Sequence, residues 1–234
     1  VLFVLDASSS MAFGTAPRRT AAQTAALFVG CVAFAAARNN DKVGLITATD
    51  EVVRYVPAKK GRRHVLRLIR EACEPPAARA RGDLTVALDF AGRVQKKHAV
   101  VFVVSDFVAG QALPPSAALE RALRLVAQRH ELIAVRVRDP LAGGVHRRTG
   151  DVEPLPNLGL LHLVDPETGG TVHVDTASRR VRETLQRHWR AERAALADAC
   201  RRAGVDLIDV LTEGSVAEPL LRFFRMRELR GAKR

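Results

Sequence analysis

An α/β fold with a mostly parallel central sheet and helices on both faces is what this sequence predicts, on three observations. Its most apolar stretches, residues 1–5 and 99–104, are short continuous runs rich in Val and Leu, and 205–211 is a further strand-like segment. Runs of that kind suit strands buried on both faces, as parallel strands are. These runs alternate along the chain with longer segments of helical character, which is the order that βαβ units produce. Two of the runs end in an Asp, Asp6 and Asp106, and in open α/β sheets ligands sit beyond the carboxyl ends of the strands.

The elements follow in order. Residues 1–5 form the first strand, and residues 16–38, Ala-rich with Gly30 inside, a long helix that Asn39-Asn40-Asp41 ends. A second strand covers 43–47, with an antiparallel partner at 51–56. Residues 62–72 carry the helical stripe Val65, Leu66, Leu68 and Ile69, and Pro75-Pro76 breaks it. A helix at 84–94 leads to the strand 99–104. Another, at 116–129, is entered through Pro114-Pro115 and leads to the strand 132–137. Residues 139–157 are rich in Gly and Pro and read as irregular. Residues 158–164 and 171–174 flank the turn-rich Asp165–Gly170 stretch, a hairpin signal. A charged helix spans 177–203, stopped by Gly204. A strand at 205–211 and a helix at 216–229 complete the chain.

With 234 residues and 47% hydrophobic content, the chain can bury one sizeable core, so a single domain over 1–234 is expected, with the hairpin (about 158–175) as an insertion. Aromatic residues are 5%, which leaves the core to Val, Leu, Ile and Ala. The formal charge is +12, and only six of the 37 basic residues are Lys. Together with abundant Ala, this reads first as a GC-rich coding bias. A basic nucleic-acid-binding protein is the alternative, although scarce aromatics argue against base stacking on single strands. Arg18-Arg19 and the Lys59-Lys60, Arg62-Arg63-His64 cluster read as solvated charge or a docking patch.

Cys31, Cys73 and Cys200 give neither a disulfide framework nor a zinc spacing, which suits a reducing compartment and a cytoplasmic location. No apolar run approaches the ~20 residues that span a bilayer, and no signal peptide is present. The chain begins at Val1 inside an apolar run. A natural N-terminal part, able to carry an anchor, is therefore expected ahead of it.

The chemistry concentrates at Asp6-Ala7-Ser8-Ser9-Ser10, directly after a buried strand. A carboxylate and two hydroxyls on alternate residues of a tight loop point the same way and offer oxygen ligands to a hard divalent cation. Mg²⁺ takes such ligands in octahedral geometry and keeps several waters. Mn²⁺ and Ca²⁺ are not distinguished from it. Asp106, at the end of a neighbouring strand, adds a second carboxylate. With so few negative ligands the cation keeps positive charge and an open position for a partner's carboxylate. The plainer alternative is that Asp6 and the serines cap a helix.

Here a resemblance enters. The segment VLFVLDASSSMAFG looks like the first segment of a von Willebrand factor A domain with its metal-ion-dependent adhesion site. More narrowly, the chain resembles the bacterial family known as domain of unknown function 58. DKVGLITATD, GRRHVLRLIR, VVFVVSDF, AVRVRDPL, GLLHLVDPETGG and GVDLIDVLTEGSVAEPLLRFFRMR follow in order over nearly the whole chain. The resemblance implies a Rossmann-like sheet with the site at its upper edge, with Asp6, Ser8 and Ser10 as first metal loop and Asp106 as third. It implies an adaptor or partner of MoxR-type AAA+ ATPases, and no enzymatic activity. The family's second metal loop has a Thr before Asp-Leu. Here Gly82 stands in its place, in Arg81-Gly82-Asp83-Leu84-Thr85. Thr85 lies about one helical turn on, and Asp83 is a substitute oxygen ligand or a helix cap.

Other chemistries fit less well. A phosphatase of the haloacid dehalogenase type carries a second Asp two residues after the first, where Ser8 stands, so a metal-dependent phosphohydrolase ranks low. No Gly-x-Ser-x-Gly elbow, Gly-x-Gly-x-x-Gly loop or Walker A sequence occurs. The seven His residues (His64, His98, His130, His146, His162, His173, His188) do not pair at ligand spacing. Phe223-Phe224, among Leu220-Leu221 and Met226, reads as a core-docking stripe or a partner surface.

Overall fold

The computed structural model describes residues 1–15, 18–75, 79–108, 115–146 and 151–231. In chain order the elements are β1 (Leu2–Asp6), α1 (Ala21–Arg38), β2 (Val43–Ala48), β3 (Val52–Lys59), α2 (Arg62–Ala72), α3 (Leu84–Val94), β4 (Val100–Ser105), α4 (Ala117–Ala127), β5 (Glu131–Arg138), β6 (Leu160–Val164), β7 (Thr171–Asp175), α5 (Arg179–Ala203), β8 (Asp206–Leu211) and α6 (Ala217–Gly231). The expected helix start at Ala16, Pro76 of the helix break, Pro114 and residues 147–150 of the irregular segment lie outside the described residues.

Six strands form one sheet in the order β3-β2-β1-β4-β5-β8. All neighbours are parallel except β2 and β3. The chain leaves β1 toward β2, then returns to pair β4 on the other side of β1. The order therefore reverses between β1 and β4, and a crevice opens there beyond the carboxyl ends.

The strand β1 shows how the sequence drives this. All five of its residues are buried, and successive side chains enter opposite layers. Phe3 and Leu5 join the core beneath α1, α2 and α6, with Phe28, Val65, Leu68 and Phe223. Leu2 and Val4 join the other core, beneath α3, α4 and α5, with Leu88, Leu123 and Leu196. A one-residue slip would exchange the two sets, so both cores specify the register. Phe102 of β4 stacks on Phe3 at 5.7 Å and meets the edge of Phe28 at 5.5 Å, so the few aromatics sit at the centre of one core.

The helix α1 starts at Ala21, later than expected. Thr20 accepts from the Gln23 backbone N–H and the Gln23 side chain accepts from the Thr20 N–H, a reciprocal box that sets the first turn. By length and composition, α1 is also long and apolar enough to cross a membrane, contrary to the expectation that no run comes close. Its Phe28, Val29, Val32 and Ala33 are buried in the core, the burial that a core helix shows. At the other end of the chain, Gly204 terminates α5 in the left-handed conformation (φ 72°), where a Cβ would be strained.

The basic pair Arg18-Arg19 is engaged rather than free: Arg18 pairs with Glu213 at 2.6 Å and Arg19 donates to the Gly214 carbonyl. Phe223 is buried in the core, while Phe224 is exposed. The expected hairpin forms as β6 and β7. It brings His162 and His173 face to face across the strands, ring centroids 4.8 Å apart. Register, and not spacing along the chain, sets such cross-strand neighbours, so the His spacing in the sequence carries no sign of this stacked pair.

Arg136 of β5 is buried and pairs with Asp209 of β8 at 2.9 Å. Burial pulls its guanidinium down to about 10; Arg138 adds to this and Asp209 opposes it. Removing one partner of a buried pair leaves an uncompensated charge, which costs about 3–5 kcal/mol. Asp209→Ala is therefore expected to lower the unfolding free energy measured by urea titration by an amount in that range, with a lower midpoint. An unchanged midpoint would show that the pair carries no net stability.

Candidate functional site

The loop after β1 is held from several sides. The Ala7 N–H donates to the Ala48 carbonyl and the Ser9 N–H to the Ala80 carbonyl, both at 2.8–2.9 Å. Residues 9–12 then make a single 3-10 turn. The Ser8 N–H donates to Asp6 Oδ1 at 2.9 Å, and Ser105 Oγ donates to Asp6 Oδ2 at 2.5 Å. Each Asp6 oxygen is thus oriented by one donor, the second of them from the end of β4. Ser8 Oγ lies 3.1 Å from Ser10 Oγ. Ser9, between them, points elsewhere: its hydroxyl faces the Ala80 and Pro166 carbonyls, each at 3.0 Å.

Asp106 follows β4 across the sheet's switch point. Its Oδ1 accepts from the Val108 N–H at 3.0 Å, and Asp6 and Ser10 both lie near enough to act on its ionisation. The next residue, Phe107, has a φ of 53°. For a bulky side chain that is a strained conformation, and strain of this kind gathers at functional sites. Asp6, Ser8, Ser10 and Asp106, chosen on sequence alone, are therefore brought together by this chain of contacts.

The electrostatics match. Asp6 and Asp106 are both buried. Burial, and then the neighbouring Asp6 charge, push Asp106 up to about 6, against the opposing pull of Arg138. Among the described residues neither carboxylate forms an ion pair with a basic side chain; Arg138 itself is bonded to Glu192 at 2.9 Å. Two buried carboxylates in each other's field, edged by two hydroxyls, form an all-oxygen donor set short of positive charge. Those residues fit a small, hard divalent cation.

The second loop is different. A Cβ on Gly82 would lie 3.1 Å from Ser8 Cβ and 3.6 Å from Asp6 Oδ1, so position 82 adjoins the site but brings no side chain to it. Asp83 and Thr85 are bonded to each other instead. Asp83 Oδ1 accepts from the Thr85 N–H at 2.9 Å and its hydroxyl at 2.6 Å, capping α3. Among the described residues no hydrogen bond joins either side chain to Asp6, Ser8, Ser10 or Asp106. The capping alternative is the one that the geometry favours here, because a short side chain at the helix entrance reaches its own N–H groups first.

Two residues near the site were not singled out from the sequence. Asp139, at the end of β5, is buried and accepts from the Thr15 N–H and hydroxyl, the Leu141 N–H and the Thr212 hydroxyl. It ties the exit of the Ser loop to the ends of β5 and β8. The signal was available, since Asp139 is another strand-ending Asp, followed by Pro140. The other is Glu167, at the tip of the β6–β7 hairpin; it is half-buried, and burial followed by the charges of Asp165 and Asp6 holds its carboxyl above the usual value. No local pattern links residue 167 to residue 6.

The raised Asp106 group has a consequence for stability in metal-free protein. Between the unfolded value near 4 and the folded value of about 6, the native state holds a proton that the unfolded chain has lost. Stability therefore falls as pH rises through that window. Asp106→Asn in EDTA is expected to raise stability at pH 8 by on the order of 1–3 kcal/mol, with the gain shrinking as pH is lowered toward 4. Thermal unfolding at the two pH values checks this, and an equal gain at both would overturn the charge account.

Comparisons with known proteins agree with this layout. The family model described as "Protein of unknown function DUF58" matches residues 1–195. An uncharacterized protein of Mycobacterium tuberculosis is 33% identical over 233 residues, 98% of this chain and 67% of that protein's length. Among solved structures, an aerotolerance-related membrane protein from Bacteroides fragilis matches with a TM-score of 0.60 at 15% identity, over 94% of each chain. BatB from Bacteroides thetaiotaomicron, described as a conserved hypothetical protein, matches with a TM-score of 0.56 at 13% identity, over 98% of each chain. The structural likenesses show the fold, a mostly parallel sheet with helices on both faces. On the family model and the mycobacterial relative together, the chain belongs to the DUF58 family.

Proposed function

We propose that this chain is a metal-dependent protein-interaction module and not an enzyme. Asp6, Ser8, Ser10 and Asp106 would hold a divalent cation, Mg²⁺ or in its place Mn²⁺ or Ca²⁺, to which a partner protein presents an acidic residue. The observation that carries this reading is the convergence of two buried carboxylates and two hydroxyls at the switch point between β1 and β4.

When bound, the cation supplies a positive charge with open coordination positions at the protein surface. The chain's own residues do the positioning. The Ser8 N–H and the Ser105 hydroxyl fix both Asp6 oxygens, and the Val108 N–H fixes one oxygen of Asp106. Arg138, behind Asp106, moderates the negative charge of the pair. Ser8 stands where an aspartyl phosphatase would need an acid, which favours binding over phosphoryl transfer. A MoxR-type AAA+ ATPase is the partner class that the family resemblance suggests, and the working surface would then face the cytoplasm.

Isothermal titration of Mg²⁺ and Mn²⁺ into metal-stripped protein is expected to show one site, absent in Asp6→Ala while that variant stays folded by circular dichroism. Capture of a MoxR-type ATPase in Mg²⁺ is expected to be lost in EDTA and in Asp6→Ala. Capture that survives both treatments would sink the metal-dependent reading.

A further inference from the structure

The β6–β7 hairpin holds two imidazoles where strand register brings side chains closest. Antiparallel strands alternate between residue pairs that exchange backbone hydrogen bonds and pairs that do not, and side chains of the second kind lie nearer each other. Here the Asp165 N–H donates to the Gly170 carbonyl and the Thr176 N–H to the Gly159 carbonyl. His162 stands opposite His173, an odd number of steps from both bonded pairs, and so belongs to the unbonded kind. The rings accordingly lie face to face, with centroids 4.8 Å apart and planes 20° from parallel. Both residues are exposed, and among the described residues no hydrogen bond or ion pair engages either ring.

The surroundings suit a cation. The chain carries 37 Lys and Arg, yet the two strands, LLHLV and TVHVD, contain none. Asp175, two residues beyond His173, shares its face of the hairpin. Imidazole nitrogen suits Zn²⁺, Ni²⁺ and Cu²⁺, whereas Mg²⁺ takes oxygen. Zn–N bonds of ~2.0–2.1 Å put two nitrogens about 3.3 Å apart across a tetrahedral ion. Exposed, stacked rings reach that separation by tipping their edges together about side-chain bonds, with the strands left in register.

A cross-link at this place has a structural consequence. A lone two-stranded hairpin is marginally stable in water, and this one leaves Leu160, Val164 and Val172 exposed. Its base is tied by Thr176, whose hydroxyl donates to the Gly159 carbonyl at 2.6 Å and accepts from the Leu158 N–H at 2.8 Å. Its tip meets the loop after β1, where Ser9 Oγ donates to the Pro166 carbonyl at 3.0 Å. The two imidazoles lie between base and tip.

We infer that His162 and His173 form a second metal site, a two-imidazole clamp for a borderline divalent ion such as Zn²⁺. It is separate from the oxygen cluster at Asp6 and does not rest on the reading of that cluster. The ion joins β6 to β7, keeps its remaining positions for water, and stiffens the hairpin whose tip contacts Ser9.

The test uses Zn²⁺ as the probe in excess Mg²⁺, with binding followed by isothermal titration and the hairpin by hydrogen exchange of residues 160–175. Zn²⁺ is expected to slow that exchange in the wild type and equally in Asp6→Ala, which separates this site from the first. His162→Asn and His173→Asn are each expected to bind Zn²⁺ at least about tenfold more weakly, because one ligand replaces a linked pair, and to lose the slowed exchange. His173→Phe keeps a ring against His162 but no ligand; it is expected to exchange like the wild type without Zn²⁺ and to show no response to it. Zn²⁺ held at cysteines or at other histidines leaves hairpin exchange unmoved, so an unmoved wild type would overturn the clamp. A Zn²⁺ response that persists in full in His162→Asn, His173→Asn or His173→Phe would overturn it as well.

Discussion

The structure depends on one topological constraint, the reversal of strand order between β1 and β4. Parallel strands all present their carboxyl ends at the same edge, and the reversal leaves a gap there that no connecting helix covers. Asp6 ends β1 and Asp106 follows directly on β4 at that gap. Neither would sit beside the other without the pairing of Leu2 with Val101 through Leu5 with Val104. That register is in turn held by the two cores, since Phe3 and Phe102 share one and Leu2, Val101 and Val103 the other. The apolar layers and the polar edge are thus one arrangement. Burial on both faces positions the strands to within a hydrogen bond, and the carboxylates at their ends inherit that precision.

The polar edge has a supporting layer of its own. Ser105 links β4 to Asp6, and Asp139 collects donors from the loop after Ser10 and from the end of β8. Arg136 and Arg138 run in from β5 toward partners on β8 and α5. Buried groups of this kind are costly unless satisfied, and Asp139 is satisfied by four donors. Asp6 has two donors, the Ser8 N–H and the Ser105 hydroxyl, and this smaller count is the physical contrast between a structural carboxylate and a candidate ligand in the same small region.

How much of this was legible in the sequence follows from the range of the forces involved. Strand and helix order came from apolar periodicity, which is local, and α2 and α3 have the ends that the stripe and the Asp83 cap suggested. The start of α1 was missed because Ala-rich composition reads as helix on both sides of a boundary that only the Thr20–Gln23 box defines. Asp6, Ser8, Ser10 and Asp106 were found because strand-ending carboxylates and an alternating hydroxyl loop leave a pattern within a few residues. The sequence by itself thus determined the fold class and singled out the oxygen-bearing side chains at the two strand ends. Only the tertiary structure decided which way Asp83 and Thr85 are engaged, that His162 meets His173 and that Asp139 is a structural hub. These depend on contacts between residues from different elements or across a turn, for which no local periodicity or spacing carries a signal.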